Sequence, residues 1–223
     1  MTTVAVMQPY LFPYIGYYQL VAAADIFVFL DDVNFIQRGF INRNWLMDRG
    51  GGPAPFRIPV RAASQNRRIN ELIYDAPGPK PLKTLRQCYA GSPGFEAFYP
   101  LFDKVISQAK GHSVAKISAL SIKLVAEGLK LRTRFLTASE VDPRQTHGGQ
   151  ERILDICRHL GASRYINLPG GRKLYDPDVF LSEGIQLWFL DTEVEPLTDD
   201  KGEKWHPSFL HYLLTEPDER TRE

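Results

Sequence analysis

The sequence predicts an α/β protein of Rossmann-like type, with a mainly parallel sheet, helices on both faces and a helical insertion. Three observations predict it. Thr3 to Met7 and Ile26 to Leu30 are short apolar runs, ended by Gln8 and by Asp31-Asp32. A helix-spaced segment lies between them, so the opening of the chain is a βαβ unit with a right-handed crossover. The same alternation returns after Arg134, and strands alternating with helices imply a parallel sheet covered on both sides.

In order along the chain, Val4, Ala5 and Val6 make the first strand a buried one. Pro9 and Pro13 then stiffen the backbone and favour an extended path. A helix is predicted from near Ile15-Gly16 to Ala24, because Leu20, Val21 and Ala24 fall at helical spacing. Ligands of such units gather at the carboxyl ends of the strands. Gln8, Tyr10, Tyr14, Tyr17, Asp31 and Asp32 are therefore expected near one edge. One of the two aspartates is expected to act, as a base or on a cation; the plainer reading is a strand-end turn with solvated carboxylates.

Between Val33 and Trp45, aromatic residues alternate with Gln37, Arg38, Asn42, Arg43 and Asn44. Asparagine offers donors and acceptors, and Arg43 a planar fork that suits phosphate or carboxylate. These groups are expected to reach the pocket; a turn in which Asn42 and Asn44 bond local backbone is the alternative. Arg49 to Pro53 reads as a loop, Pro55 to Val60 as a strand with Phe56, Ile58 and Val60 alternating, and Ile69 to Tyr74 as a shorter one. After the break at Pro77 to Pro81, three segments carry apolar residues at three-to-four spacing: Leu82 to Tyr89, Phe95 to Gln108 and Val114 to Leu131. Residues 82–131 are expected to form a helical insertion or lid on a single α/β domain.

Arg134 to Ala138 is then a strand, Gln150 to Leu160 a helix ended by Gly161, and Ser163 to Leu168 a strand. Asp176 caps a short helix with Pro177 at its first position, and Ile185 to Leu190 closes the series. Gly170-Gly171, with Arg172 and Lys173, falls where a strand end meets a helix. Its amides and cations suit an anion, although a glycine pair also serves plain turn geometry. Residues 192–223 are expected to be irregular, with Trp205-His206-Pro207 docking and the end fraying.

Composition narrows the class. A chain of 223 residues with net charge +1 has no global bias toward nucleic acid or membrane. No apolar run approaches the roughly 20 residues of a membrane helix. The start lacks the features of a signal peptide, and a soluble, cytoplasmic protein is expected. Cys88 and Cys157 are too few for a disulfide framework, and the five histidines show no ligand spacing, so no metal site is expected. Cys157 reads as a core cysteine on its helix. Cys88, beside Tyr89, has no histidine near it in sequence.

Gln8-Pro9, Pro13-Tyr-Ile-Gly-Tyr17, Asp25, Asp31 to Val33, Asn42-Arg43-Asn44, Tyr165 and Gly170-Gly-Arg-Lys-Leu-Tyr175 resemble the WbqC-like protein family over roughly residues 3–190. The resemblance implies a bacterial protein of O-antigen or other specialised biosynthesis. Its implied role is to attach an acyl or aminoacyl group, such as glycyl, to an amine of an amino sugar or related metabolite. The partners so implied are a small-molecule amine and an acyl or aminoacyl carrier; no cofactor is implied. After Asp191 the acidic stretch to Lys204 departs from the family's Tyr- and Gln-containing segment. Pro13 to Tyr17 also resembles the His-x-Gly-His turn of nucleotidylyltransferases, with tyrosine at both histidine positions; tyrosine donates a hydrogen bond to phosphate but not a positive charge.

Three functions stand as expectations: the acyl or aminoacyl transferase, a nucleotide-activating enzyme, and a non-catalytic nucleotide- or sugar-binding protein. For the first, Arg43 and Lys173 are expected to hold an anionic handle, with Tyr14 and Tyr17 positioning it. Asp32 is the expected base toward the attacking amine. The substrate-binding set is Gln8, Pro9, Tyr10, Asp31, Asn42, Arg43, Asn44, Gly170, Gly171, Arg172, Lys173 and Tyr175, with Asp32, Tyr14 and Tyr17 catalytic.

Overall fold

The computed structural model describes residues 1–192 and 194–216. In chain order its elements are β1 (Thr3–Met7), α1 (Ile15–Ala23), β2 (Ile26–Phe29), β3 (Arg43–Met47), β4 (Pro53–Arg57), β5 (Val60–Arg61) and β6 (Ile73–Tyr74). Three helices follow, α2 (Lys80–Tyr89), α3 (Phe95–Ser107) and α4 (Val114–Gly128). The chain continues with β7 (Arg134–Thr137), α5 (Ala138–Val141), α6 (Gly149–His159), β8 (Arg164–Asn167), α7 (Pro177–Ser182) and β9 (Gln186–Phe189). It closes with β10 (Leu197–Thr198), β11 (Lys204–Trp205) and α8 (Leu210–Thr215). Two short 3₁₀ turns, at Ile69–Glu71 and Pro169–Lys173, complete the set.

The chain divides into two compact units. The first comprises residues 1–8, 16–32 and 131–194, the second residues 9–15, 33–130 and 195–223. Where the sequence suggests one domain with an insertion at 82–131, the helices of that stretch lie in the second unit together with the β3–β4 hairpin and the C-terminal elements.

The first unit is the predicted parallel α/β structure. Its five strands run β7-β2-β1-β8-β9, and every pairing is parallel. Renumbered within the sheet, that order is 3-2-1-4-5, the doubly wound order whose direction reverses between β1 and β8. Successive side chains of a strand face opposite sides. Val4, Val6 and Val28 accordingly pack with Ile153, Leu154, Ile156 and Cys157 of α6 and with Phe180 of α7. Phe27 meets Tyr17 of α1, with ring centroids 5.2 Å apart. Burial of Cys157 pushes its thiol up to about 12, as suits a core cysteine. The Asp25 carboxylate accepts from the Thr3 amide at 2.8 Å and fixes the start of β1.

The second unit is built on aromatic and helical packing. Phe12 stacks on Phe102 of α3 at 5.0 Å, and Phe56 of β4 meets Phe102 edge-on at 5.5 Å. The strand predicted at residues 55–60 is two shorter ones, β4 and β5, and the polar–aromatic segment before it supplies β3, its antiparallel partner. The loop between them is an Asp48 turn, whose Oδ1 accepts from the Gly50 and Gly52 amides at 2.8 and 2.9 Å. Residues 217–223, where fraying is expected, lie outside the described residues.

Among the described residues no helix is long and apolar enough to cross a membrane.

Candidate functional site

The second unit contains a cleft of about 440 Å³, within the size range of small-molecule sites. It is lined by Tyr10, Tyr14, Phe40, Asn44, Trp45 and Pro53 from one stretch of sequence, and by Asp199 and Glu203 to His206 from another. The tyrosines come from the Pro9 to Ile15 turn, which the backbone holds in an unusual shape: Phe12 has φ of 47°. Two buried side chains maintain that shape. Asn44 donates to the carbonyls of Leu11 and Phe12 at 3.1 and 2.6 Å, and Ser121 Oγ accepts from the Phe12 amide at 3.1 Å. The C-terminal wall is tied on by the Ser208 amide to the Trp45 carbonyl and the Phe209 amide to the Pro13 carbonyl, both at 2.8 Å.

Tyr14 and His206 face each other across 5.2 Å, and Tyr10 and Phe40 across 6.2 Å. Burial raises the phenols of both tyrosines, with Tyr14 adding to the effect on Tyr10. Both therefore remain neutral hydroxyls near pH 7. Burial lowers the His206 pKa, which keeps its ring uncharged there as well. The wall formed by β10 and β11 is the Leu197 to Trp205 hairpin, whose turn takes Gly202 at φ of 78°, a conformation that glycine adopts freely. Asp199 Oδ1 locks that turn, accepting from the Lys201 and Glu203 amides at 2.9 Å each.

Of the expected binding residues in this unit, Tyr10, Tyr14 and Asn44 line the cleft, and Pro9 is buried beside them in sequence. The other polar groups of the 42–44 segment are engaged by the backbone. Asn42 donates to the Ile58 carbonyl at 2.8 Å. Arg43 donates through Nε to the Gly39 carbonyl at 2.9 Å and through its terminal nitrogen to the Arg38 carbonyl. The two asparagines thus bond backbone: Leu11, Phe12 and Ile58 are distant in sequence, while Asn44 Oδ1 also accepts locally from the Trp45 amide at 2.9 Å.

In the first unit, Asp31 and Asp32 follow β2 and are 5% and 3% exposed, so they are not solvated turn carboxylates. Asp31 accepts from the Ser139 amide at 3.0 Å and the Ser139 hydroxyl at 2.6 Å. Asp32 pairs with Arg152 at 2.5 Å, and the same guanidinium pairs with Asp142 and donates to the Ala138 and Asp142 carbonyls. Asp32 Oδ1 is buried and has no side-chain hydrogen-bond partner among the described residues. Burial lifts the Asp32 carboxyl above its ordinary value, outweighing the opposing pull of Arg152. An unpaired oxygen and a raised pKa are what the expected base requires; deep burial against Arg152 is what a structural ion pair requires.

The sheet reverses order between β1 and β8, and Gln8 and Leu168 follow those two strands. The Gln8 carbonyl accepts from the Tyr17 hydroxyl at 3.1 Å, so this tyrosine, only 1% exposed, ties the strand to its helix. After β8, Asn167 donates to the Tyr165 hydroxyl at 2.9 Å, and the Tyr165 and Tyr175 hydroxyls lie 3.4 Å apart. Gly171 closes the turn over this chain of groups; a Cβ there would come within 3.0 Å of the Asn167 amide. Its own amide donates to the Leu168 carbonyl at 2.9 Å, while Gly170 is exposed with open space around it. Arg172 lies over the Phe189 ring at 4.9 Å, and Lys173 is exposed.

Among the residues to which the sequence reading gives no site role are Arg152, Glu203 and Trp205, the last expected only to dock. Arg152 carried a signal, since it stands beside Ile153 and four residues before Ile156 on the apolar face of α6. Glu203 and Trp205 carried little, because strands of two residues are too short to show alternation.

The first unit is thus an α/β structure of doubly wound type, and the second holds a cleft walled by aromatic rings. The chain belongs to the WbqC-like protein family, whose profile matches residues 8–213. It is also similar to Uncharacterized protein Rv1507c of Mycobacterium tuberculosis, 23% identical over 193 residues, which cover 85% of this chain and 82% of that protein. No solved structure matches the chain.

Proposed function

We propose that the protein transfers an acyl or aminoacyl group, of glycyl type, to an amine of an amino sugar or related small metabolite, and that the cleft of the second unit receives the acceptor. The observation that carries the proposal is the composition of that cleft. Its walls are flat rings from Tyr10, Tyr14, Phe40, Trp45 and Trp205, with polar groups from Asn44, Asp199, Glu203, Lys204 and His206. Aromatic faces give a sugar-sized ligand apolar contact, and a small number of polar groups orient it. No covalent enzyme intermediate is part of the proposal, since Cys157 is buried in the core and burial raises the Cys88 thiol with a further push from Asp48.

A second reading, nucleotide activation, is favoured by one observation. The doubly wound order of the first unit places its reversal at the ends of β1 and β8, where such sheets take nucleotides. The test is the same for both: amino sugars are incubated with activated acyl and glycyl donors, with and without ATP, and the products are weighed by mass spectrometry. An acceptor heavier by the acyl group, formed from a preactivated donor without ATP, supports transfer. Release of pyrophosphate with an adenylate supports activation. No product with any donor contradicts both and leaves a binding protein.

A further inference from the structure

We infer that the C-terminal hairpin makes the cleft selective for a protonated amine, with Glu203 pairing to the ammonium and Trp205 offering it an aromatic face. The inference rests on the cleft being the acceptor site and concerns how that site chooses its ligand. Glu203 lies just before β11 and Trp205 ends it, and both line the cleft. Lys204, between them, lines the cleft as well. The Asp199 amide donates to the Glu203 carbonyl at 3.0 Å, and Asp199 Oδ1 accepts from the Glu203 amide at 2.9 Å. The backbone of Glu203 is therefore fixed on both sides.

The Glu203 carboxylate, by contrast, makes no hydrogen bond, ion pair or other electrostatic contact with a described residue. It differs in this from Asp199, which locks the turn, and from the buried carboxylates of the first unit. A carboxylate and aromatic rings that line one cleft recognise an ammonium by charge and by the ring quadrupole together. Lys204 is the cation of the same wall, and the uncharged His206 adds no second one.

The test uses three ligands that differ at one position: glucosamine, N-acetylglucosamine and glucose, titrated calorimetrically into the full chain at a pH where the free amine is protonated. Glucosamine is expected to bind about tenfold more tightly than the other two, the size of an ion pair combined with a cation–π contact. Glu203→Gln is expected to reduce that preference to within about twofold by weakening glucosamine more than glucose, and Trp205→Phe to retain most of it. Equal binding of the three sugars by the native chain overturns the inference and leaves the cleft a sugar site. An equal loss for all three ligands in Glu203→Gln also overturns it, since the residue then acts on the cleft's shape. Binding of none of them overturns the inference together with the acceptor reading beneath it.

Discussion

Two clusters of carboxylates show opposite uses of the same side chain. At the end of β2, Asp31 and Asp32 are buried and held by Ser139 and Arg152, and Asp142 shares the same guanidinium. On the hairpin of the other unit, Glu203 is held by its backbone while its carboxylate has no partner among the described residues. Sequence shows both simply as acidic residues near a turn. The difference is whether the fold itself completes the charge. A carboxylate paired within the fold is committed there, and one without a partner at the wall of a cleft is available to a ligand.

The largest expected effect comes from breaking the completed cluster. Arg152→Met leaves Asp32 and Asp142 buried without a cation and should lower stability by about 3–5 kcal/mol, read from urea midpoints. A loss below about 1 kcal/mol would mean the cluster is far more hydrated than its burial indicates. Asn44→Ala is expected next, at ~2–3 kcal/mol, because it strips two backbone carbonyls and one amide of a buried partner. It should also disturb the cleft, since Asn44 holds the turn that carries Tyr10 and Tyr14.

A smaller effect is expected from pH. Asp32 is raised above its ordinary 3.8 by burial, against the pull of Arg152. A carboxyl raised on folding makes the native state the tighter proton binder, so its contribution is present below the unfolded pKa and lost as pH rises through the folded one. The stability of the native chain relative to Asp32→Asn should therefore fall as pH climbs from about 3.8 and then level off. An opposite slope would show that Arg152 dominates. In a working transfer assay, unchanged turnover by Asp32→Asn removes that residue from the chemistry; a lower kcat at unchanged acceptor affinity keeps it there. The smallest stability effect belongs to Glu203→Gln, within about 0.5 kcal/mol, because its carboxylate holds nothing in the free protein.

The first unit was legible in the sequence for a physical reason. Strands buried on both faces are continuous apolar runs, as in Val4 to Val6 and Phe27 to Phe29, and their ends are marked by Gln8 and Asp31. The helices at 80–89, 95–107 and 114–128 were legible from three-to-four spacing. The division into two units was not, because each unit is assembled from separated stretches of chain. At the site, Tyr10, Tyr14 and Asn44 were found through local cues. The other wall, Glu203 to His206, lies more than 150 residues further along the chain, and only tertiary folding joins it to them. Arg43 illustrates the converse: its fork was chemically suited to an anion, yet the carbonyls of Arg38 and Gly39 engage it.

The most direct measurement of the contrast is carboxyl carbon NMR on the protein labelled at aspartate and glutamate, titrated with glucosamine and, separately, with glucose. The expected result is a saturable shift of the Glu203 carboxyl with glucosamine alone, while Asp32 and Asp142, already completed by Arg152, stay in place. A Glu203 signal that ignores glucosamine, or that moves equally with glucose, contradicts the account.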